Sequence, residues 1–165
     1  MIKMPTFLDQ LAAEWYSYKE GYFVRMNVPL RKRERGGHEG DADVIGLRLK
    51  DNKIQVIHIE NSQAAQSFEE HLQALKKKFE KAANNYENIV GCKCDKVFKV
   101  GICTCSKKKG DVNKKSDIEV YTTSEFLKMI TKELNKIHPG RSGVPETFPM
   151  LRAIQFILHY GIEKI

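Results

Sequence analysis

The chain has 165 residues, 28 Lys+Arg against 21 Asp+Glu, and a formal net charge of +7. That is the length of one domain, long enough to bury a core without disulfides or a structural metal. With 41% apolar and 30% charged residues, no apolar run approaches the roughly 20 residues a membrane span needs. The opening Met1-Ile2-Lys3-Met4-Pro5 reaches Pro5 and Asp9 too soon for the apolar core of a signal peptide. The expectation is a cytoplasmic domain with no membrane partner.

Taken in chain order, Pro5 suits a first helical turn and Gly21 a helix end. Between them Phe7, Leu8, Leu11, Ala12, Trp15 and Tyr18 recur at helical spacing. Tyr22 to Val28 reads as a strand stopped by Pro29. Residues 29–42 read as a loop rich in Arg and Gly, with His38 inside it. A hairpin follows, Asp43 to Leu49 and Ile54 to Glu60, around an Asp51-Asn52 turn. A helix is expected over 62–84 with Ser62 as N-cap and an apolar stripe of Phe68, Leu72, Leu75 and Phe79. Strands are expected over Val97–Cys105 and Ile118–Tyr121. Thr123 or Ser124 caps a helix to about Ile137, and a last helix runs from Phe148 to about Tyr160. Strands interleaved with helices imply an α/β domain, a central mixed sheet covered on both faces. One domain spans 1–165, with a core over about 5–121 and a C-terminal helical extension over about 122–165.

The hairpin carries the chemistry. With Asp51-Asn52 as the turn, Lys50 faces Lys53, Leu49 faces Ile54, Leu47 faces Val56 and Ile45 faces His58. Asp43 then faces Glu60. Directly opposed residues have Cβ atoms about 4.5–5.5 Å apart. Two carboxylates at that distance repel unless they share a proton, take a basic partner or bind a cation. Hard oxygen donors suit Mg²⁺ or Mn²⁺. The plain alternative is a pair of solvated acids at a strand end.

The arrangement resembles the PD-(D/E)xK superfamily, the restriction-endonuclease-like and Holliday-junction-resolvase-like nucleases. Glu14 lies in the first helix, Gly21-Tyr22-Phe23-Val24 opens the next strand, Asp43 heads an apolar strand, and Glu60 ends the strand Val56-Ile57-His58-Ile59-Glu60. The match covers residues 5 to about 85. The resemblance implies a restriction-endonuclease-like fold and metal-dependent hydrolysis of DNA phosphodiester bonds. It implies Asp43 and Glu60 as metal ligands, the Asn61 carbonyl as a third, and Glu14 as ligand to a second metal or holder of a metal-bound water. The chain departs from the pattern at position 62, where Ser62 replaces the family's lysine. Serine cannot supply positive charge. Gln63 and Gln66 on the following helix, or the basic run 31–35 with Arg31 and Arg33, are the candidates to replace it. A helix starting at Ser62 leaves Lys77 about 20 Å along, too far to help. The competing function keeps this fold without catalysis, as a nucleic-acid-binding or assembly module.

Residues 71–115 hold twelve lysines against four acids, an excess that suits a polyanion. Lys76, Lys77, Lys107, Lys108 and Lys109, with Arg31 and Arg33, are the candidate DNA contacts; alone, each basic run is an ordinary solvated face. A homodimer is an open arrangement. Cys92-x-Cys94 and Cys103-x-Cys105 could give four thiolates to zinc, or remain reduced thiols in a cytosolic protein. A zinc-stabilised interaction domain is the third functional class. His58 lies beside the acids, as their partner, a general base or a satisfied core histidine.

Overall fold

The computed structural model describes residues 4–30, 40–63, 67–105 and 117–161. Helix α1 (Phe7–Glu20) begins where Thr6 and Asp9 close a reciprocal capping box, and ends at Gly21 in the left-handed region. Pro5 thus lies ahead of the N-cap rather than in the first turn. Strands β1 (Phe23–Pro29), β2 (Asp41–Lys50) and β3 (Lys53–Ser62) form an antiparallel meander. The β2–β3 turn is Asp51-Asn52, both with positive φ (52° and 56°), as a twist-matched two-residue turn requires. The expected register is the observed one: Lys50 pairs with Lys53, Leu47 with Val56, Ile45 with His58 and Val44 with Ile59.

The next element departs from expectation. Ser62 does not cap a helix; it continues β3, paired with Cys103. Helix α2 (Phe68–Ala82) starts five residues later than a Ser62 cap implies, because Ser67 and Glu70 supply a complete capping box. After α2 comes a short helix α3 (Tyr86–Val90), then β4 (Lys96–Cys103) and β5 (Ile118–Thr122). Helix α4 (Thr123–Leu134) is capped by Thr122 with Glu125, one residue ahead of the expected cap. A four-residue turn of helix, α5 (Pro139–Ser142), precedes α6 (Pro149–Tyr160).

The sheet order is β1-β2-β3-β4-β5. The first two pairings are antiparallel and β3–β4 and β4–β5 are parallel, so the sheet is mixed. Parallel neighbours need a crossover, and α2 with α3 is the one joining β3 to β4. Strand alternation sorts the faces. Val44, Ile57, Ile59, Val100 and Ile102 point to one side, where they pack with Leu11 and Trp15 of α1, Phe126 and Ile130 of α4, and Leu151 of α6. The C-terminal helices therefore share the central core and are no appendage. On the other side Val120 and Cys103 meet Phe68, Leu75 and Phe79 of α2. The polar site lies on that α2 side. Among the described residues no helix is long and apolar enough to cross a membrane.

Candidate cation site at the end of the hairpin

Asp43 and Glu60 are both buried, at 1% and 0% exposure. They stand at the open end of the β2–β3 hairpin, one register step past Val44–Ile59. Their repulsion is answered by a lysine of the basic run 76–78, expected at most to contact phosphates. Lys78, from the third turn of α2, places its Nζ 2.8 Å from Asp43 Oδ2, 2.8 Å from Glu60 Oε2 and 2.8 Å from the Asn61 carbonyl oxygen. Those are the three groups assigned to a metal on the strength of the resemblance. The Glu60 Oε2 contact is an ion pair without good hydrogen-bond direction. Burial pulls the Lys78 ammonium down, but Glu60 and Asp43 outweigh it and hold its pKa above the ordinary lysine value.

Each member of the nest is fixed from behind. Asp43 Oδ2 also accepts the Asn61 backbone N–H at 2.7 Å. Glu60 Oε1 lies 2.7 Å from His58 Nε2, and His58 Nδ1 lies 2.8 Å from the Tyr86 hydroxyl. Burial pushes the Tyr86 phenol up, with Glu60 adding to it, so the hydroxyl keeps its proton. The network is then satisfied when Tyr86 donates to Nδ1 and Nε2–H donates to Glu60. His58 is wholly buried, edge-on to Phe79 at 4.7 Å between ring centroids. It orients Glu60, and the protein surrounds it too closely for solvent to reach.

The approach of α2 depends on a missing side chain. Gly101 pairs with Glu60 across β3–β4. A Cβ on Gly101 would stand 2.6 Å from Leu75 Cδ1. Because Gly101 has none, Leu75 seats against the strand, and Lys78, one turn further on, reaches the acids.

The other predicted residues go elsewhere. Glu14 is buried, but its Oε2 accepts the backbone N–H groups of Met150 and Leu151 at 2.9 and 3.0 Å. It caps α6, which has no side-chain cap of its own. The α1 acid nearest the nest is Asp9, whose Oδ1 accepts from the Asn61 side-chain amide. Ser62 is buried with its hydroxyl 2.8 Å from His71 Nδ1. Gln63 is exposed and donates to Thr6 Oγ1 at 3.3 Å. Lys76 and Lys77 are exposed on α2. Gln66, Arg31, Arg33, His38, Lys107, Lys108 and Lys109 lie outside the described residues.

The four cysteines do not gather. Cys92 and Cys94 precede β4, whereas Cys103 ends it and Cys105 follows. Eight strand residues at about 3.3 Å each separate the pairs by roughly 25 Å. Cys103 and Cys105 are neighbours, Sγ to Sγ 2.9 Å. Among the described residues no three His, Cys, Asp or Glu side chains converge as a metal site; the hairpin nest has two carboxylates and a main-chain carbonyl.

A signal for Lys78 is present in the sequence. His71, Leu75, Lys78 and Ala82 fall at i, i+4, i+7 and i+11, one helical face. Leu75 was already in the apolar stripe, so the lysine beside it had to point at the sheet. Setting the helix start at Ser62 obscured this.

The donor set fits a hard divalent cation in kind, all oxygen with two negative charges. The ammonium-centred nest, at 2.8 Å per contact, is wider than the roughly 2.0–2.1 Å of Mg²⁺ coordination, so the two side-chain carboxylates would have to draw in. Comparison with family models, curated proteins and solved structures finds no match to this chain.

Proposed function

We propose that this chain is a divalent-metal-dependent nuclease of the restriction-endonuclease-like kind, hydrolysing DNA phosphodiester bonds, with Lys78 in the role that Ser62 cannot fill. The observation that carries the reading is the convergence of Asp43 Oδ2, Glu60 Oε2 and the Asn61 carbonyl on one cation. Isolated acids at a strand end would turn to solvent; these are buried and aimed at a single point. Mg²⁺ or Mn²⁺ held there supplies a water of lowered pKa and offsets charge on the phosphate. Asp43 and Glu60 bind it, His58 fixes the Glu60 carboxylate, and Lys78 offers a positive charge beside the attacked phosphate. Lys76 and Lys77, exposed on the same helix, would meet the DNA backbone.

Purified protein incubated with plasmid DNA and Mn²⁺ tests this. Wild type should nick or linearise the plasmid, and Glu60→Ala should lower the rate by about 10²-fold or more, the usual worth of an electrostatic catalytic group. Wild-type cleavage no greater than that of Glu60→Ala would reject the nuclease reading. A second reading is favoured by one fact: Lys78 already pairs with both acids and offsets one of their two charges with no metal at all. On that reading the triad is an internal ion pair and the chain a DNA-binding module. Salt-sensitive DNA binding with no cleavage in Mn²⁺ would select it.

A further inference from the structure

The nest holds one cation at a time, and the cation it holds here belongs to the chain. We propose that Lys78 Nζ and a divalent metal are alternative occupants of the same three oxygens, so that metal binding expels the Lys78 ammonium toward solvent. This rests on the metal-dependent reading above and says how that site is controlled.

Geometry carries the argument. All three contacts of Nζ are with the atoms that would hold the metal, each at 2.8 Å. The ammonium donates to Asp43 Oδ2 and the Asn61 carbonyl and ion-pairs with Glu60 Oε2, so one cation meets three oxygens as a metal would in three coordination positions. A dication placed within the same three oxygens would stand almost on top of Nζ, and two cations at such a distance repel too strongly to coexist in a buried site. One must leave. Asn61 O is main chain of a central strand and cannot. Asp43 and Glu60 are tied by the Asn61 N–H and by His58. Among the described residues Lys78 Nζ is tied by the nest itself; its side chain is 32% exposed, and its four-carbon stem can swing without moving the helix.

The exchange has a functional meaning. With no metal bound, the Lys78 ammonium stands between the acids and offsets one of their two charges, so a phosphate meets no bare carboxylate pair. When metal binds, the ammonium is released beside it, on the solvent side, where the phosphate would arrive. One event thus builds the metal site and frees the positive charge that position 62 lacks. Metal-free protein should also bind metal less tightly than its ligand set implies, since each binding event must break the Lys78 contacts first.

Two measurements on the full chain test this. Calorimetric titration with Mn²⁺ compares wild type with Lys78→Met. Removing the competitor should tighten Mn²⁺ binding by at least about fivefold, the lower end of typical coupling between linked binding events. Amine labelling of wild type, read by mass spectrometry, needs no variant. Mn²⁺ should raise modification of Lys78 severalfold and leave Lys19 and Lys136 unchanged. If Mn²⁺ binds wild type but Lys78 labelling does not rise, the proposal is overturned while the metal site stands. Equal or weaker binding by a folded Lys78→Met overturns it in the same way. If wild type and variant both fail to bind Mn²⁺, the metal-dependent reading falls and this proposal with it.

Discussion

The sheet buries one acid that the sequence marks as functional on one face and two on the other, and the two faces hold them differently. On the α1 side Glu14 accepts two main-chain N–H groups at the start of α6. On the α2 side Asp43 and Glu60 share the ammonium of Lys78. Main-chain amides are part of the fold and cannot leave. A lysine side chain can. The acid held by amides is therefore committed to structure, while the pair held by a lysine can exchange that partner for another cation. Burial alone does not separate the two cases; the identity of the counter-charge does.

The largest expected effect is on the exchangeable side. Lys78→Met leaves two buried carboxylates facing each other without the Lys78 ammonium. Breaking a buried pair by removing one partner costs about 3–5 kcal/mol. The lower end, about 3 kcal/mol, applies because Lys78 is about one-third exposed. Urea unfolding without metal should show the loss, and saturating Mn²⁺ should recover much of it. The pH dependence follows from the raised Lys78 pKa. A cation with a raised folded-state pKa stabilises fully below its unfolded value, and that contribution fades as pH climbs through the folded value. The gap between wild type and Lys78→Met should thus stay constant through neutral pH and narrow only above about 10.5, the ordinary lysine value. A gap that closes between pH 6 and 8 would overturn the assignment of this effect to Lys78.

Next in size is the committed side. Glu14→Ala leaves the Met150 and Leu151 amides without their acceptor at the head of α6. Leaving buried donors unsatisfied costs about 1–3 kcal/mol. Glu14→Gln keeps an acceptor oxygen and should lose less. The sharper outcome is what does not change: Mn²⁺ affinity at Asp43 and Glu60 should match wild type in both variants. Loss of Mn²⁺ binding in a folded Glu14→Gln would erase the distinction between the two acids.

The hairpin was legible because its information is local. Asp51-Asn52 tolerates the left-handed backbone of a tight turn, and period-two alternation then fixes every facing pair up to Val44–Ile59. The convergence of Asp43 with Glu60 follows from that register, and the α/β class follows from the interleaving of strands with helices. What escaped is what one helix start controls. Ser62 and Ser67 both suit an N-cap; Glu70, three residues after Ser67, completes a capping box there, and the parallel pairing with Cys103 takes Ser62 into β3 instead. The five-residue shift brings the lysines of α2 within reach, and the face shared with Leu75 selects Lys78 over Lys77. Glu14 was misplaced for a related reason. Helical spacing says that it faces inward, but the N-terminus of α6, 136 residues away in the chain, is invisible from the α1 sequence. Asp9 was noticed only as a polar residue ending an apolar stretch, although it caps α1 and holds the Asn61 side chain.

The smallest effect tests how the helix is seated, on which the contrast between the faces depends. Gly101 lets Leu75 press against β4, and a Cβ there would come within 2.6 Å of Leu75 Cδ1. Leu75 is fully buried, so Gly101→Ala must move the leucine or lift α2. Overpacking of this kind costs about 1–3 kcal/mol, and one methyl against a flexible side chain belongs near the low end. Lifting the helix would withdraw Lys78 from the nest, so metal-free stability should fall while Mn²⁺ binding tightens slightly, a faint copy of Lys78→Met. If Leu75 alone yields, stability falls and Mn²⁺ affinity stays put. Leu75→Ala on its own opens a cavity at a cost of about 2–5 kcal/mol. In the double variant the new methyl partly fills that space, so the combined loss should be less than the two added together. Strict additivity would mean that Gly101 and Leu75 do not press on one another, and the seat of Lys78 would then have to be sought in Phe79 and His71 instead.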